Sequence, residues 1–390
     1  MTSDPIGVGV VGGGFAARAH VDALRRVAGV RIAGIAASTP ERSRAVAGEL
    51  GLPAVDDYRG MLEDDSIAAI HDCTPNDLHL DVNRVAIEAG KHVLSEKPLA
   101  MDSRETAWLV ELARTADVVT GVCFNYRHYP LVQELRSRLA TGGDGAVRLV
   151  TGTYLQDWLL MPTDWNWRLD PARGGTSRAV ADIGSHWIDL VQHVTDDRLA
   201  EVCADLGRMH DVRRRPVGEV QTFTTGDGER ADVRVGTEDW ATVLFRTERG
   251  ARGSLVVSQV SAGRKNHLTL EVDAESAAFA WDQEVPNTLW IGRRGKPNAE
   301  LVRDPSLLSP AAAALAHYPG GHQEGWPDAL FNLVSDFYAA VRARGAGEVH
   351  EHTFASFADA HRTTQTVEAI VASSADRAWV RVGTGREAHR

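Results

Sequence analysis

Ile6-Gly7-Val8-Gly9-Val10-Val11-Gly12-Gly13-Gly14-Phe15-Ala16-Ala17 is the stretch on which the fold turns. An apolar run of strand length ends in three glycines and passes at once into a helical pattern. Two registers satisfy a glycine fingerprint, but Gly7–Gly12 would put its turn inside the strand, whereas Gly12-x-Gly14-x-x-Ala17 puts it where the strand stops. In that register Gly12 permits the tight turn, Gly14 lets backbone N–H groups approach a pyrophosphate, and Ala17 keeps helix and strand close. The helix start at Phe15 and Ala16 then presents unpaired N–H groups and a positive dipole end to phosphate. The expected ligand is a dinucleotide.

Outward from this turn, short apolar runs alternate with helical stretches, the grammar of parallel strands joined by crossover helices. Val30–Ala37, Ala68–Cys73, His92–Ser95 and Val118–Cys123 read as strands, and Ala16–Val27, Pro40–Leu50, Leu78–Ala89 and Ser103–Thr115 as helices. Residues 1–126 are thus expected to form a Rossmann-type, doubly wound parallel sheet. Beyond them the pattern changes to longer strands that alternate polar and apolar residues, among them Leu149–Trp158, Asp239–Arg246, Gly253–Gln259 and Leu268–Asp273. Helices are expected at Val180–Val194, Trp326–Ala343 and Phe354–Ala372, with a long loop and weak helix over Arg293–Ala316. Residues 127–390 are expected to form an α+β domain on a largely antiparallel, open-faced sheet, whose free face suits pairing into a homodimer or homotetramer.

The chain's 390 residues are enough for two domains with cores of their own. With 43% hydrophobic and 24% charged residues the chain is globular rather than disordered or fibrous. A net charge of −11, without a long basic run, argues against nucleic-acid or anionic-membrane partners and for a small neutral one. Cys73, Cys123 and Cys203 are odd in number and far apart, so they suggest neither a disulfide framework nor a metal cluster, and no metal is expected. Met1–Pro5 leads straight into a strand without signal-peptide features, and no run reaches the ~18 apolar residues of a membrane span. The expected location is cytoplasmic.

About 20 residues past the glycine turn, an Asp or Glu closing the second strand would hold the ribose 2′-hydroxyl of NAD. Here Ala37 occupies that place, followed by Ser38, Thr39, Pro40, Glu41 and Arg42. Hydroxyls and a guanidinium suit a 2′-phosphate. Ser38, Thr39 and Arg42 therefore favour NADP, with NAD as the alternative.

Thr74-Pro75-Asn76-Asp77-Leu78-His79 and Ala89-Gly90-Lys91-His92-Val93-Leu94-Ser95-Glu96-Lys97-Pro98-Leu99-Ala100, taken with Asp182-Ile183-Gly184-Ser185-His186-Trp187-Ile188-Asp189, resemble the Gfo/Idh/MocA family of NAD(P)-dependent sugar and cyclitol oxidoreductases. Phe124-Asn125-Tyr126-Arg127 and Gly152–Trp158 followed by Trp167-Arg168 are similar to its pyranose-oxidising branch. The resemblance runs from end to end. It implies that Thr74, Pro75, Asn76, His79, Glu96 and Asn125 lie along the cofactor, and that Lys97, before a cis Pro98, reaches between nicotinamide and substrate. It also makes His322, in the Gly-rich loop Tyr318–Trp326, a candidate substrate contact.

Asp182 and His186 are spaced i, i+4, which on a helix puts both side chains on one face. A neutral imidazole accepts a hydroxyl proton, and a carboxylate one turn earlier orients it. Trp158, Trp165, Trp167 and Trp187 offer aromatic faces to a pyranose, with Tyr126, Arg127, Gln156, Asp157 and Arg168 as hydroxyl partners. The expected reaction is oxidation of a secondary ring hydroxyl, C3 of a pyranose, glycoside or anhydrosugar, with Lys97, Asp182 and His186 catalytic and either Lys97 or His186 as base. The alternatives are a cyclitol dehydrogenase, a glycosidase of the same fold that oxidises C3 transiently, and a dinucleotide-sensing protein without turnover.

Overall fold

Strands β1 (Ile6–Val11), β2 (Val30–Ala36), β3 (Ile67–Asp72), β4 (His92–Ser95) and β5 (Thr120–Val122) form an all-parallel sheet in the order β2-β1-β3-β4-β5. This computed structural model describes residues 5–217 and 229–383, so the leader-free start read from Met1–Asp4 lies outside the described residues. Helices α1 (Phe15–Arg26), α2 (Pro40–Leu50), α3 (Arg59–Glu63), α4 (Asn76–Glu88) and α5 (Ser103–Thr115) connect the strands. Their ends follow from local chemistry. Thr39 Oγ1 caps α2 by accepting from the Arg42 N–H at 3.2 Å, and Asp102 caps α5 by accepting from the Arg104 and Glu105 N–H groups at 2.9 Å each. α1 buries Ala17, His20, Val21 and Leu24, the single stripe that three- and four-residue spacing produces.

By contacts the chain groups into two units, Met1–His128 with Trp326–His361, and Tyr129–Gly325 with Arg362–Arg390. This differs from a single division after residue 126. Within the first unit, α10 (Trp326–Gly345) returns to cover the parallel sheet: Leu330, Leu333, Val334, Phe337 and Val341 share one buried cluster with Val8, Val10, Val21 and Leu24. Nothing local in the sequence marks the segment as the first unit's own, because a helix's apolar stripe does not say which sheet it covers.

The second unit is built on nine strands in the order β15-β14-β13-β12-β6-β11-β10-β7-β16. They are β6 (Val147–Leu155), β7 (Leu199–Gly207), β10 (Trp240–Thr247), β11 (Arg252–Ser258), β12 (His267–Ala274), β13 (Ala278–Asp282), β14 (Thr288–Gly292), β15 (Ala299–Val302) and β16 (Val380–Arg381); β8 (Val212–Pro216) and β9 (Arg230–Arg234) make a separate hairpin. Among the described residues of this sheet only β6 and β11 pair in parallel. The strands alternate as read: in β10, Ala241, Val243 and Phe245 are buried while Thr242 and Leu244 are exposed. Helices α6 (Pro130–Ala140), α7 (Pro171–Gly174), α8 (Ser185–Thr195), α9 (Pro310–Ala313) and α11 (Phe357–Asp376) complete the chain.

Two local expectations change. Arg293–Ala316 is not only loop and weak helix, since it holds edge strand β15, which has no buried residue and so no apolar alternation to betray it. The helix expected over Val180–Val194 begins as a π-helical turn, Val180–Gly184, before α8. Among the described residues no helix is long and apolar enough to cross a membrane.

Candidate active site

The glycine turn is as tight as its sequence requires. Gly12 has φ +127°, and a Cβ there would lie 2.3 Å from the Cys73 carbonyl oxygen. At Gly14 a Cβ would meet nothing within 4 Å, so the space beside that backbone is open, while Ala17 is fully buried against the sheet. Gly14 heads α1 and offers no side-chain cap to its first turn, so those N–H groups suit a pyrophosphate. Three residues past β5, Asn125 is buried, and its amide nitrogen makes no hydrogen bond among the described residues, a further donor to spare. These features fit a dinucleotide.

At the end of β2 the Ala37 N–H donates to Ser43 Oγ at 2.8 Å. Thr39 serves as the cap of α2, leaving the exposed Ser38 hydroxyl and the half-buried Arg42 guanidinium beside the turn. Arg42 Nε lies 4.0 Å from where a Gly13 Cβ would be.

The carboxyl ends of β3 and β4 carry the next group. Thr74 donates to Asp72 Oδ1 from its N–H at 3.1 Å and its hydroxyl at 2.6 Å, and burial pushes the Asp72 carboxyl up. Pro75 and Asn76 start α4. The buried His79 ring faces two carbonyl oxygens, Pro98 at 2.6 Å and Thr74 at 2.9 Å, so it braces one loop against the other. Glu96 Oε2 accepts from the Lys97 N–H at 3.1 Å, Lys97 is half-buried, and the Lys97–Pro98 bond is cis, as the resemblance implied. Tyr126 is buried. The buried Arg127 guanidinium pairs with Asp359 at 3.5 Å and donates to the Thr353 carbonyl, which ties down the first unit's own C-terminal segment.

In the second unit, Asp182 lies in the π-turn and His186 in the first turn of α8. A π-turn pairs residues five apart, so the four-residue spacing falls just short of a full turn rather than just past one, and both residues still lie on nearly one face. Asp182 accepts from Gln259 Nε2 at 2.8 Å and pairs with Arg168 Nε at 3.1 Å. Gln259 Oε1 in turn accepts from Arg178, which pairs with Asp239, and Asp239 also accepts from Arg213 Nη2 at 2.7 Å. Burial raises the Asp239 carboxyl, but the two guanidinium groups outweigh it and hold it below the usual carboxylate range. Asp182 is thus the outer end of a buried polar chain. Gln259 has no motif around it, and only the fold brings it there.

Tyr154 faces His186 edge-on, with ring centroids 6.5 Å apart. Tyr154 donates to Asn266 Oδ1 at 2.7 Å, as does Gln156 at 2.9 Å, and Gln156 accepts from Trp158 Nε1 at 2.8 Å. Asp157 is held below the usual range by its hydrogen bond from Lys265 at 2.8 Å. The tryptophans divide. Trp187 is fully buried, donates to the Thr269 carbonyl and fills the space that Gly152 leaves, so it is core. Trp158 and Trp165 pack on Leu159, Leu169 and Val235, and the Trp167 ring is covered by Arg168 at 4.4 Å. His322 is exposed on a loop whose Tyr318, Pro319 and His322 carbonyls accept from the buried Arg303, itself paired with Glu324 at 2.9 Å.

With the geometry in hand, residues 6–124 match the oxidoreductase family with an NAD-binding Rossmann fold, and residues 132–280 match the GFO/IDH/MocA C-terminal domain. The chain is 28% identical to levoglucosan dehydrogenase of Pseudarthrobacter phenanthrenivorans, over 97% of this chain and 98% of that protein. An oxidoreductase domain protein from Kribbella flavida is similar in structure, with a TM-score of 0.86 at 30% identity, covering 97% of this chain and all (100%) of that one. So is an inositol dehydrogenase homologue from Azotobacter vinelandii complexed with NAD+, with a TM-score of 0.85 at 28% identity over 97% and 98% of the two chains. Both halves of one two-domain architecture therefore follow in order along a single chain, and the protein belongs to the Gfo/Idh/MocA family of NAD(P)-dependent oxidoreductases.

Proposed function

We propose that the protein oxidises a secondary ring hydroxyl, at C3 of a pyranose, glycoside or anhydrosugar, to a ketone. The observation that carries this reading is Asp182, anchored by Gln259 and Arg168, one turn before His186, in a chain similar to a levoglucosan dehydrogenase over 97% of its length. A bound nicotinamide supplies the acceptor for the hydride that leaves the carbinol carbon. His186 takes the hydroxyl proton, and the Lys97 ammonium stabilises the alkoxide that develops as the proton departs. Asp182 fixes the orientation of His186 and the substrate. Gln156, Asp157 and Trp158 present polar and aromatic groups to the sugar ring. His322 adds a contact from its braced loop.

On the cofactor, the absence of an acid at Ala37, the exposed hydroxyl of Ser38 that follows it and the placement of Arg42 beside Gly13 support NADP over NAD. The exposed face of the nine-stranded sheet, where the apolar Leu244 and Val256 lie beside Thr242, is assigned to self-association. A cyclitol substrate is the second reading, favoured by the similarity to an inositol dehydrogenase homologue.

A panel of levoglucosan, glucose, aryl glycosides and inositols, followed by nicotinamide absorbance, tests the proposal. Turnover of pyranoses with a 3-ketosugar product is expected. Preference for inositols would select the second reading, and aglycone release without NAD(P)H accumulation would replace oxidation by glycoside cleavage.

A further inference from the structure

Four side chains of the first unit that no step above requires form a continuous hydrogen-bonded line. Tyr338 Oη, on α10, lies 3.0 Å from His71 Nε2 on β3; His71 Nδ1 lies 2.8 Å from His20 Nδ1 on α1; and His20 Nε2 lies 3.3 Å from Glu96 Oε1, next to Lys97. Tyr338, His71 and His20 are fully buried, and the His71 ring stacks on Tyr338 with an interplanar angle of 14°.

The two ends fix the direction of every proton between them. Among the described residues His71 is the one partner of the Tyr338 hydroxyl, so Tyr338 donates, since otherwise a buried O–H would be left without an acceptor. His71 Nε2 is then an acceptor, its proton sits on Nδ1 and goes to His20 Nδ1, and His20 keeps its proton on Nε2 for the Glu96 carboxylate. Both imidazoles are neutral and every donor has an acceptor. Burial pushes the His71 pKa down, in agreement with a neutral ring.

We infer that Tyr338, His71 and His20 are positioning residues, a one-way hydrogen-bond chain that holds the Glu96 carboxylate and, through its other oxygen, the N–H of Lys97. Its consequence for turnover rests on the role proposed for Lys97; its proton order does not. The chain does not conduct protons, because passing one proton toward Glu96 would leave a phenolate on Tyr338, whose burial raises its pKa well above the usual value. Glu96 is faced by His20 from α1, by Asp72 and Cys73 from the end of β3 and by Cys123 after β5.

The same corner brings ligating atoms of His20, Glu96 and Cys123 within 4.8 Å of one another, a grouping the sequence did not announce. A metal on His20 Nε2 would force the opposite order, with protons on His20 Nδ1 and His71 Nε2, and would leave the Tyr338 hydroxyl without an acceptor. The two occupancies are therefore separated by tautomer.

Long-range 1H–15N correlation spectra of the 15N-histidine-labelled full chain, assigned by loss of signals in His20→Gln and His71→Gln, read that order directly. The expected result is His71 as the Nδ1–H and His20 as the Nε2–H tautomer, unchanged by zinc or EDTA. The reverse order, or a shift of both rings on adding zinc, would overturn the chain whatever the enzyme's substrate. In Tyr338→Phe the Glu96 carboxylate should keep both rings in the same order while His71 Nε2 loses its donor and its 15N resonance moves, and kcat should fall about 2- to 10-fold, the range of one lost buried hydrogen bond, with KM and NAD(P)H affinity within about twofold of wild type. A lower melting temperature with unchanged kcat would reduce the chain to a structural feature and end the positioning role.

Discussion

His186 lies two residues past the π-turn that carries Asp182, and its ring faces Tyr154 edge-on. If it accepts the substrate proton, His186→Ala lowers kcat by about 10²-fold or more, on the usual scale of general-base catalysis, while fluorescence titration finds NAD(P)H affinity nearly unchanged. Unaltered turnover in that variant refutes the assignment and shifts the base to Lys97. At this scale the sequence pointed to the groups proposed to react but not to what holds them. Asp182 and His186 stood out by spacing, whereas Gln259, Arg178 and Asp239, which anchor Asp182 from behind, belong to separate segments. Trp187 shows the opposite failure, since its position beside His186 suggested a sugar platform and the fold made it core.

The β2–α2 connection is the element on which the proposed preference for NADP rests. Thr39 is the cap of α2, and Ser43 Oγ closes the turn onto the Ala37 N–H, which leaves Arg42, beside Gly13, as the group proposed to receive a 2′-phosphate. Steady-state kinetics should show a preference for NADP, and Arg42→Ala should raise KM for NADP about tenfold or more while leaving KM for NAD nearly unchanged, because a charge-assisted hydrogen bond contributes about 1.5–3 kcal/mol. A wild-type preference for NAD would contradict this reading. The π-turn at Val180–Gly184 is another feature of this scale, and i, i+4 periodicity alone does not distinguish it from an α-turn.

The first unit takes a helix from the far end of the chain to finish its core. Leu330, Leu333, Val334, Phe337, Val341 and Phe354 are all buried with β1 and α1. At about 1.5–3 kcal/mol per large apolar side chain, their loss is on the order of 10 kcal/mol, comparable with the whole net stability of a domain. A fragment ending at His128 should therefore show no cooperative thermal transition, and joining residues 326–361 to it through a flexible linker should restore one. A cooperative melt of the short fragment by itself would show that the parallel sheet does not depend on α10.

From the linear chain alone came the glycine register, the order of strands and helices in the first third, the change to alternating strands after it, and the residue types a hydride-transfer site requires. All of these follow from steric and periodic rules that act over a few neighbours. Tertiary structure alone decided that α10 belongs to the first unit, that Asp182 is the end of a buried chain through Gln259, and that Tyr338, His71 and His20 line up on Glu96. Those pairings join residues tens to hundreds of positions apart, and hydrogen bonds between them exist only once the backbone has brought donor and acceptor within about 3 Å.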